Sequence, residues 1–510
     1  MIPVLCRRDL LASGATAALL ATLPGQQARA AGTTDLSVVR RTLDVNGKPA
    51  AVFGIVRGDG APGVSLELGE RFAVDLRNRC GEPTIIHWHG QAPPVRQDGV
   101  TQTGLEALIA NGADQGYDYA PRPGTHWMHS HHGLQEQVLM AAPLVVRTAE
   151  DARTDAQEVI VMLHDFAFRD PREILAELTG TKPGGTAAAG MSMGGGGAMP
   201  AGGMAGGGMS GQGIAGMAMP MATPPKPGAT KSGGAMDLND IDFDAYLAND
   251  RTLADPLVVR AERGGRVRLR LINGATSTAF WISLGGLAGQ VVAVDGDPVY
   301  PMPVRRFPIA EAQRVDVLLR LPPGGGAFPI LAQREGDRQR TGIILATPGA
   351  AVARVGEEAA TPAGAAADWS LERQLRALTP LPPRKPDRVH RVALTGSMMP
   401  YAWGIDGRSW PDHTPLTVTR GERVALDLVN RTTMAHPMHL HGHHFQVLAL
   451  NGTAFAGAMR DTVLVPPRAT VRIGFDADNI GRWLFHCHNL YHMATGMMTE
   501  VAYTGFSAGY

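Results

Sequence analysis

Short apolar and alternating runs recur along most of the chain, and Gly, Pro, Asn and Asp separate them. Runs of this length between turn residues are typical of β-strands. The clearest predicted strands occupy 64–68, 71–76, 258–259, 267–271, 315–321, 416–418 and 424–429. The pattern therefore predicts β-structure throughout most of the chain.

One combination of turn and strand occurs three times. A turn of charged residues and glycine is followed each time by a strand that ends on asparagine. The turns lie at 69–71, 262–265 and 420–423, and the strands end at Asn78, Asn273 and Asn430. Such a repeat predicts three copies of one β-sandwich domain. We expect these domains at 35–148, 155–348 and 389–505, with a linker at 349–388.

The second predicted domain contains a low-complexity insert at 183–236, where methionines stand among Gly, Ala and Pro. Such a segment cannot bury enough apolar surface to offset the chain entropy lost on folding. We therefore predict that the insert is a disordered, mobile loop. Its methionines are Met191, Met193, Met199, Met204, Met209, Met217, Met219, Met221 and Met236.

Composition agrees with a globular protein of several domains. The chain has 510 residues, of which 44% are hydrophobic and 18% charged. At roughly 100–200 residues per domain, this length suggests about three domains. The formal net charge is zero, so composition gives no reason to expect nucleic acid or an anionic membrane as a partner.

The first 30 residues are predicted to be an export signal. Arg7 and Arg8 precede an apolar run at 10–23, and the small-residue pattern Ala28-Arg29-Ala30 follows. The run is too short to span a bilayer, and its flanks suit cleavage near Ala30. The paired arginines favour the twin-arginine machinery, with a general secretory signal as the alternative. No later segment is long and apolar enough for a membrane span, which predicts a soluble protein outside the cytoplasm.

The cysteine count bears on metal binding. The chain has three cysteines, and Cys6 would leave with the signal. A disulfide would have to join Cys80 to Cys487, but Cys487 stands between two histidines. A lone cysteine in that position of an exported protein is predicted to be a thiolate ligand.

Histidines cluster near both ends of the predicted mature chain. In a β-strand, residues i and i+2 point to the same face, so each His-x-His pair can direct two imidazoles at one ion. A single such pair is weak evidence, whereas four pairs predict a site between the first and third domains. The clusters are His87 and His89; His129 and His131; His436, His439 and His441; and His486, His488 and His492.

The last cluster has the most specific donor set. Cys487, His492 and an upstream histidine offer one thiolate and two imidazoles, and Met497 can add a weak axial thioether. This set is typical of a blue-copper electron-transfer site. Structural zinc is the alternative, but it usually takes several thiolates. If His486 and His488 point away from Cys487, a few covalent bonds join two metal sites.

These motifs closely resemble those of the multicopper oxidases, over nearly all of the chain outside the insert. The resemblance implies cupredoxin-type Greek-key β-sandwich domains and four copper ions. It also implies four one-electron substrate oxidations coupled to reduction of dioxygen to water. By resemblance, the type 1 ligands are His436, Cys487, His492 and Met497; the type 2 ligands are His87 and His439; and the type 3 ligands are His89, His129, His131, His441, His486 and His488.

Reduction of dioxygen also needs protons. The family places a proton-supplying acid at the position of Asp98, although an Asp-Gly pair alone is usually a turn. Met493 stands where certain bacterial copper-oxidising members carry a glutamate, which puts a second acid relay in doubt. Asp461 also lies in a familiar stretch, and we expect a structural role for it.

The methionines are the best indication of the substrate. Thioethers are soft donors that select Cu(I), although the insert could also be a linker without a function. Similar methionine-rich bacterial oxidases convert Cu(I) to Cu(II) and protect the periplasm. Met434 matches a methionine at their substrate site, but Thr432 replaces an acid there. Met398 and Met399 are further candidate ligands.

Two other functions remain open at this point. One is a laccase-type phenol oxidase with the insert over an organic pocket. The other is a non-enzymatic copper-sequestering or structural periplasmic protein, which the complete set of twelve ligands disfavours. The expected partners are dioxygen, Cu(I) or a small phenolic reductant, and the twin-arginine machinery, and a monomer is expected.

Overall fold

The computed structural model describes residues 32–181, 238–362 and 366–507. The predicted export signal at 1–30 and the methionine-rich insert at 183–236 lie outside these residues. In the described ranges, six sheets account for nearly all of the strands. Buried apolar side chains from the two sheets nearest the N-terminus form one core. The predicted all-β fold of tandem cupredoxin-type sandwiches is confirmed.

The first sheet pair contains eight strands in the orders β2-β1-β4-β6 and β3-β8-β7-β5. The short 3-10 helices Val95–Gln97 and Gln135–Val138 lie in its loops. The strands are β1 (Thr34–Val45), β2 (Lys48–Arg57), β3 (Val64–Leu66), β4 (Phe72–Arg79), β5 (Ile86–His87), β6 (Asp114–Tyr119), β7 (Gly124–Ser130) and β8 (Ala141–Val146).

Helix α1 (Ala149–Arg153) leads into the second sheet pair, which has the orders β10-β9-β12-β17-β14-β15 and β11-β19-β18-β13-β16. Helix α2 (Pro171–Thr179) follows its first strand. The strands are β9 (Gln157–Phe166), β10 (Ala245–Ala248), β11 (Val258–Arg260), β12 (Arg266–Asn273), β13 (Phe280–Ser283), β14 (Gly289–Val294), β15 (Asp297–Val304), β16 (Arg306–Ile309), β17 (Arg314–Arg320), β18 (Ala327–Arg334) and β19 (Arg340–Ala346).

A 3-10 turn at Glu372–Gln374 precedes the third pair, which has the orders β21-β20-β23-β29-β25-β26 and β22-β31-β30-β24-β28, with β27 on β25. Helix α3 (Leu490–Ala494) follows β30. The strands are β20 (Arg388–Met398), β21 (Tyr401–Ile405), β22 (Leu416–Val418), β23 (Arg423–Asn430), β24 (His436–Leu440), β25 (Phe445–Leu450), β26 (Thr453–Ala454), β27 (Met459–Arg460), β28 (Thr462–Val465), β29 (Thr470–Asp476), β30 (Arg482–Cys487) and β31 (Met498–Tyr503).

The three asparagines of the sequence repeat have one structural role. Each ends, or lies one residue before the end of, a strand that pairs in parallel with the first strand of its sheet: β4 with β1, β12 with β9, and β23 with β20. Each side chain is buried, and its amide donates to backbone oxygens of two separate chain segments. An unpaired buried carbonyl costs free energy, so the amide satisfies both segments at once. The repeat in the sequence thus marks a loop anchor that each sandwich uses.

No helix within the described residues is long and apolar enough to cross a membrane.

Candidate metal centre

Strands of the first and third sheet pairs bring the histidines together. In the first pair, His87 on β5 lies opposite His129 on β7. In the third, His439 on β24 lies opposite His486 on β30. The eight histidines of the two pairs are buried, with exposed fractions between 0% and 3%. They are His87, His89, His129, His131, His439, His441, His486 and His488.

The eight side chains form three groups. Two of them share His89, and the third lies against the first through the stacked rings of His87 and His441, whose centroids are 3.8 Å apart. Within each group the nitrogen atoms that could bind one metal ion lie within 4.8 Å of one another. The groups are His87, His89 and His439; His89, His129 and His488; and His131, His441 and His486. The two ends of the chain therefore contribute to one continuous cluster, which we call the histidine cluster.

Hydrogen bonds to the outer nitrogens fix the direction of most rings. Nδ1 of His87 donates to the backbone oxygen of Asp98 at 2.8 Å, and Nδ1 of His439 donates to that of Asp461 at 2.9 Å. The Nε2 atoms of the two histidines then lie 3.5 Å apart. Other facing Nε2 atoms belong to His441 and His486, at 3.0 Å, and to His129 and His488, at 3.4 Å.

His89 has the opposite orientation. Its Nε2 lies 3.1 Å from Oδ1 of Asp461, and its buried Nδ1 has no hydrogen-bond partner among the described residues. Neither ring nitrogen of His131 has a partner there either. Buried polar atoms are nearly always satisfied, so unpartnered nitrogens that face other imidazoles indicate a place for a cation.

Burial also sets the protonation of these rings. Desolvation, followed by the nearby histidines, holds the pKa of His89 and His441 well below the ordinary value. The same causes act on His131, His439 and His488. The neutral imidazole is the form that binds a metal, so the cluster is prepared for ligation at neutral pH.

Three buried carboxylates surround the histidine cluster. Oδ2 of Asp98 lies 2.9 Å from Nδ1 of His441, and Oε2 of Glu136 lies 2.9 Å from Nδ1 of His129. Asp461 contacts His89, as described above. A carboxylate on the outer nitrogen of a metal-binding histidine fixes its tautomer and makes it a stronger ligand.

Sequence reasoning identified Asp98 and Asp461 but missed Glu136. Glu136 lies in the 3-10 turn Gln135–Val138 and is 3% exposed. It is near His131 in sequence, yet no spacing rule marks it as a partner of His129. One local signal could have drawn attention to Glu136. It lies in a turn with two other polar residues, Gln135 and Gln137, and all three side chains are buried.

Asp461 is held by a buried arginine from the second sheet pair. Arg314 on β17 is fully buried and pairs with both carboxylate oxygens of Asp461, and its Nη1 lies 2.7 Å from Oδ1. Asp295 lies 3.7 Å from the same guanidinium. The structural role expected for Asp461 thus includes a direct contact with the histidine cluster.

A second cluster contains the cysteine. Nδ1 of His436 and Nδ1 of His492 each lie 3.7 Å from Sγ of Cys487, and the two nitrogens are 3.1 Å apart. All three side chains are fully buried. Met497 is also fully buried, and its backbone oxygen accepts a hydrogen bond from Cys487 N at 3.1 Å. We call this group the cysteine cluster.

Two residues contact the outer nitrogens of the cysteine cluster. Oγ1 of Thr432 lies 2.8 Å from Nε2 of His436. Oδ2 of Asp240, which precedes β10 in the second sheet pair, lies 3.1 Å from Nε2 of His492. Sequence reasoning noted Thr432 as a replacement but missed Asp240, because a contact between residues so far apart leaves no local pattern.

Cys487 joins the two clusters covalently. Its sulfur belongs to the cysteine cluster, while the rings of His486 and His488 belong to two different groups of the histidine cluster. Both Cys80 and Cys487 are free, which excludes the disulfide between them. One thiol with two imidazoles is a donor set that suits copper, and the unpartnered imidazoles of the histidine cluster suit it as well.

The candidate substrate methionines do not lie together. Met434 is 5% exposed and lines a pocket next to the cysteine cluster. Met398 is partly buried, whereas Met399 is 91% exposed. Neither of these two lines that pocket. The methionines of the insert lie outside the described residues.

Comparisons with known proteins agree with this geometry. Family models described as multicopper oxidase match residues 38–151, 218–357 and 381–505. Multicopper oxidase MmcO of Mycobacterium tuberculosis is 32% identical over 472 residues, which cover 89% of this chain and 83% of that protein. A copper resistance protein A from Escherichia coli is 26% identical to this chain, and the matched region covers 92% of this chain and 92% of that protein. The laccase structure from Botrytis aclada superimposes with a TM-score of 0.69 at 20% identity, over 93% of this chain and 88% of that one.

Proposed function

The chain belongs to the multicopper oxidase family, and on this premise we propose that it oxidises Cu(I) to Cu(II) with dioxygen. Four Cu(I) ions each give one electron, and these electrons with four protons reduce one dioxygen to two waters. We further propose that the protein is exported by the twin-arginine machinery, is cleaved near Ala30 and protects the periplasm from copper as a monomer.

The link through Cys487 is the observation that carries the proposal. One peptide segment holds a thiol of the cysteine cluster and two imidazoles of the histidine cluster, so a few bonds connect the two. When bound, the type 1 copper supplies one-electron transfer, and the type 2 ion with the type 3 pair supplies four-electron reduction of dioxygen. The proposed type 1 ligands are His436, Cys487, His492 and Met497; His87 and His439 are proposed for type 2, and His89, His129, His131, His441, His486 and His488 for type 3.

We assign the supply of protons to Asp98. Its carboxylate lies 2.9 Å from Nδ1 of His441 and 3.4 Å from Nδ1 of His87. Glu106 accepts a hydrogen bond from the backbone of Gly99 at 2.7 Å, and burial raises its pKa to about 7. An acid with that pKa exchanges protons readily at neutral pH, so Glu106 is suited to reload Asp98 from solvent.

Two features support Cu(I) as the reductant. The insert carries nine methionines, and Met434 lies beside the cysteine cluster, so soft donors occur in both places. The relatives named copper resistance protein A support a function in copper tolerance. A laccase-type oxidation of phenols is the competing proposal, because laccases occur among the more distant relatives.

The test is oxygen consumption by the copper-loaded protein with Cu(I) as the only reductant. We expect four Cu(I) consumed per dioxygen, and a slower reaction at low Cu(I) concentration after deletion of 183–236. Phenols, measured in parallel, should react poorly with both proteins. Efficient phenol turnover without oxidation of Cu(I) would refute the proposal, and an unchanged rate after the deletion would refute capture by the insert.

A further inference from the structure

The loop between β12 and β13 carries three consecutive buried hydroxyl groups. They belong to Thr276, Ser277 and Thr278, each 4% exposed or less, and we call these three residues the polar loop. The polar loop belongs to the second sheet pair, which supplies none of the proposed copper ligands. Its hydroxyl and backbone groups nevertheless contact segments of both other sheet pairs.

Asp165 on β9 holds the polar loop in its conformation. The side chain is 1% exposed, and its carboxylate accepts hydrogen bonds from all three residues of the loop. Oδ1 accepts from the backbone N of Thr276 at 3.0 Å, while Oδ2 accepts from Ser277 N and from Oγ1 of Thr278, both at 2.9 Å. A buried carboxylate is costly unless hydrogen bonds satisfy it, so Asp165 and the loop stabilise each other.

One contact of the polar loop leads to the histidine cluster. Oγ1 of Thr276 lies 2.5 Å from Oε1 of Gln137, which is 3% exposed and lies in a 3-10 turn of the first sheet pair. The residue before Gln137 is Glu136, whose Oε2 lies 2.9 Å from Nδ1 of His129. Oε1 of the same carboxylate lies 3.9 Å from Nδ1 of His488. The loop therefore fixes a turn that holds a carboxylate against two proposed copper ligands.

Other contacts of the polar loop lead to the segment that follows the cysteine. Nδ2 of Asn489 donates to Oγ of Ser277 at 2.8 Å, and Asn489 directly follows His488. Oγ of Ser277 in turn donates to Oδ2 of Asp240 at 3.2 Å, and Asp240 contacts His492. The segment from His488 to His492 is therefore tied to the second sheet pair at both of its ends, one in each cluster.

We propose that Asp165 and the polar loop position both metal clusters at once, through Gln137 on one side and Asn489 on the other. The inference rests on the ligands named in the proposed function, and it gives the second sheet pair a role in the copper centre although it supplies no ligand. In the proposed function, electrons pass between the clusters along the segment that the loop holds. Asp165 is a positioning residue, because it acts through the loop rather than on a ligand.

Chelator competition on the copper-loaded full chain tests the inference one cluster at a time. The blue absorbance reports copper in the cysteine cluster, and the rest of the bound copper reports the histidine cluster. Asp165→Asn should lower the copper affinity of both clusters about tenfold, because an amide offers one acceptor oxygen where the carboxylate offers two.

Two smaller changes separate the two sides of the loop. Thr276→Val removes the hydroxyl that reaches the first sheet pair, and it should lower the affinity of the histidine cluster alone, about two- to tenfold, the range for one hydrogen bond. Ser277→Ala removes the contacts with Asn489 and Asp240, and it should lower the affinity of the cysteine cluster by a similar factor. Both variants keep nearly the same side-chain volume, so they decide the question if Asp165→Asn does not fold.

The matched control is Thr341→Val in the same sheet pair. Thr341 is fully buried, and its hydroxyl has no hydrogen-bond partner among the described residues, so both copper affinities should stay unchanged. If the variants at Asp165, Thr276 and Ser277 lower only the melting temperature of the copper-free chain and leave both affinities unchanged, the inference is wrong. The measurement needs no turnover, so a copper-loaded chain that does not oxidise Cu(I) would refute the proposed function without overturning the role of the loop.

Discussion

The histidine cluster and the cysteine cluster differ in how the chain builds them. The histidine cluster takes ligands from both ends of the chain, and its outer carboxylates also come from both: Asp98 and Glu136 from the first sheet pair, and Asp461 from the third. The ligands of the cysteine cluster all lie between His436 and Met497. One cluster therefore requires docking of separate domains, while the other requires mainly the folding of one.

The residues that contact the outer ring nitrogens also differ between the two clusters. Charged groups contact the histidine cluster on several sides, and a buried arginine from the second sheet pair holds one of them. The cysteine cluster has one hydroxyl, from Thr432, and one carboxylate, from Asp240. The two metal sites should therefore be separable by mutation, although they share the segment around Cys487.

Replacement of Cys487 by serine should have the largest effect, and it acts on the cysteine cluster. The variant loses the thiolate of the cysteine cluster but keeps His486 and His488. We expect loss of the blue colour, of about one copper ion per chain and of at least ~10³-fold in oxidase rate. Copper analysis, absorption spectra and oxygen uptake would measure these. Loss of all copper would show that the two clusters do not load separately.

Replacement of Arg314 by methionine should act on the histidine cluster. The variant leaves Asp461 buried without this counter-charge, whereas Asp295 keeps Arg460 at 3.2 Å. Loss of one partner of a buried ion pair costs about 3–5 kcal/mol. Denaturant unfolding should show that loss, and copper should leave the histidine cluster while the blue colour remains. In the control, Arg472→Met, an exposed pair with Asp427 is removed, which should cost about 1 kcal/mol or less. Equal losses in the two variants would contradict the role of Arg314.

The fold and the side chains that meet in the two clusters could be predicted from the sequence because their signals are local. Asn78, Asn273 and Asn430 recur in one turn-and-strand pattern, and that pattern indicated three sandwiches. The His-x-His spacing reflects the alternation of side chains along a strand, which is also a local property. The family assignment is confirmed, while the domain boundaries and the individual copper ligands stay predictions.

Apart from Asp98 and Asp461, the residues around the two ligand sets could not be predicted, because tertiary packing brings them into place. Arg314 meets Asp461 across 147 positions of sequence. Asp240 reaches His492 from another sheet pair, and no spacing rule connects the two. Glu311, Glu335 and Met434 line one pocket although they lie in three separate loops, after β16, β18 and β23. Such contacts depend on how whole domains pack, and a single sequence carries no periodic trace of them.

Replacement of Glu136 by glutamine should weaken the histidine cluster more moderately. The shape is kept, but a neutral oxygen accepts the hydrogen bond from His129 less strongly than a carboxylate does. Copper affinity of the cluster should fall about 10–100-fold, as for other outer partners of metal-binding histidines. Chelator competition would measure this, with the exposed Glu173→Gln as control. Parallel loss of the blue colour would mean that Glu136 supports the whole fold rather than this cluster.

Replacement of Asp240 by asparagine should have the smallest effect, and it tests whether the second sheet pair contributes to the cysteine cluster. The amide oxygen can still accept from Nε2 of His492, so that ring keeps its tautomer, although the hydrogen bond loses the charge of its acceptor. Asn489 and Ser277 also contact Asp240, and these polar contacts should hold the new side chain in place. We expect the blue colour to remain and the affinity for that copper to fall about tenfold or less. Chelator competition, monitored through the blue absorbance, would measure the change in affinity. Loss of copper from the histidine cluster in this variant would instead show that the second sheet pair supports both clusters through one contact.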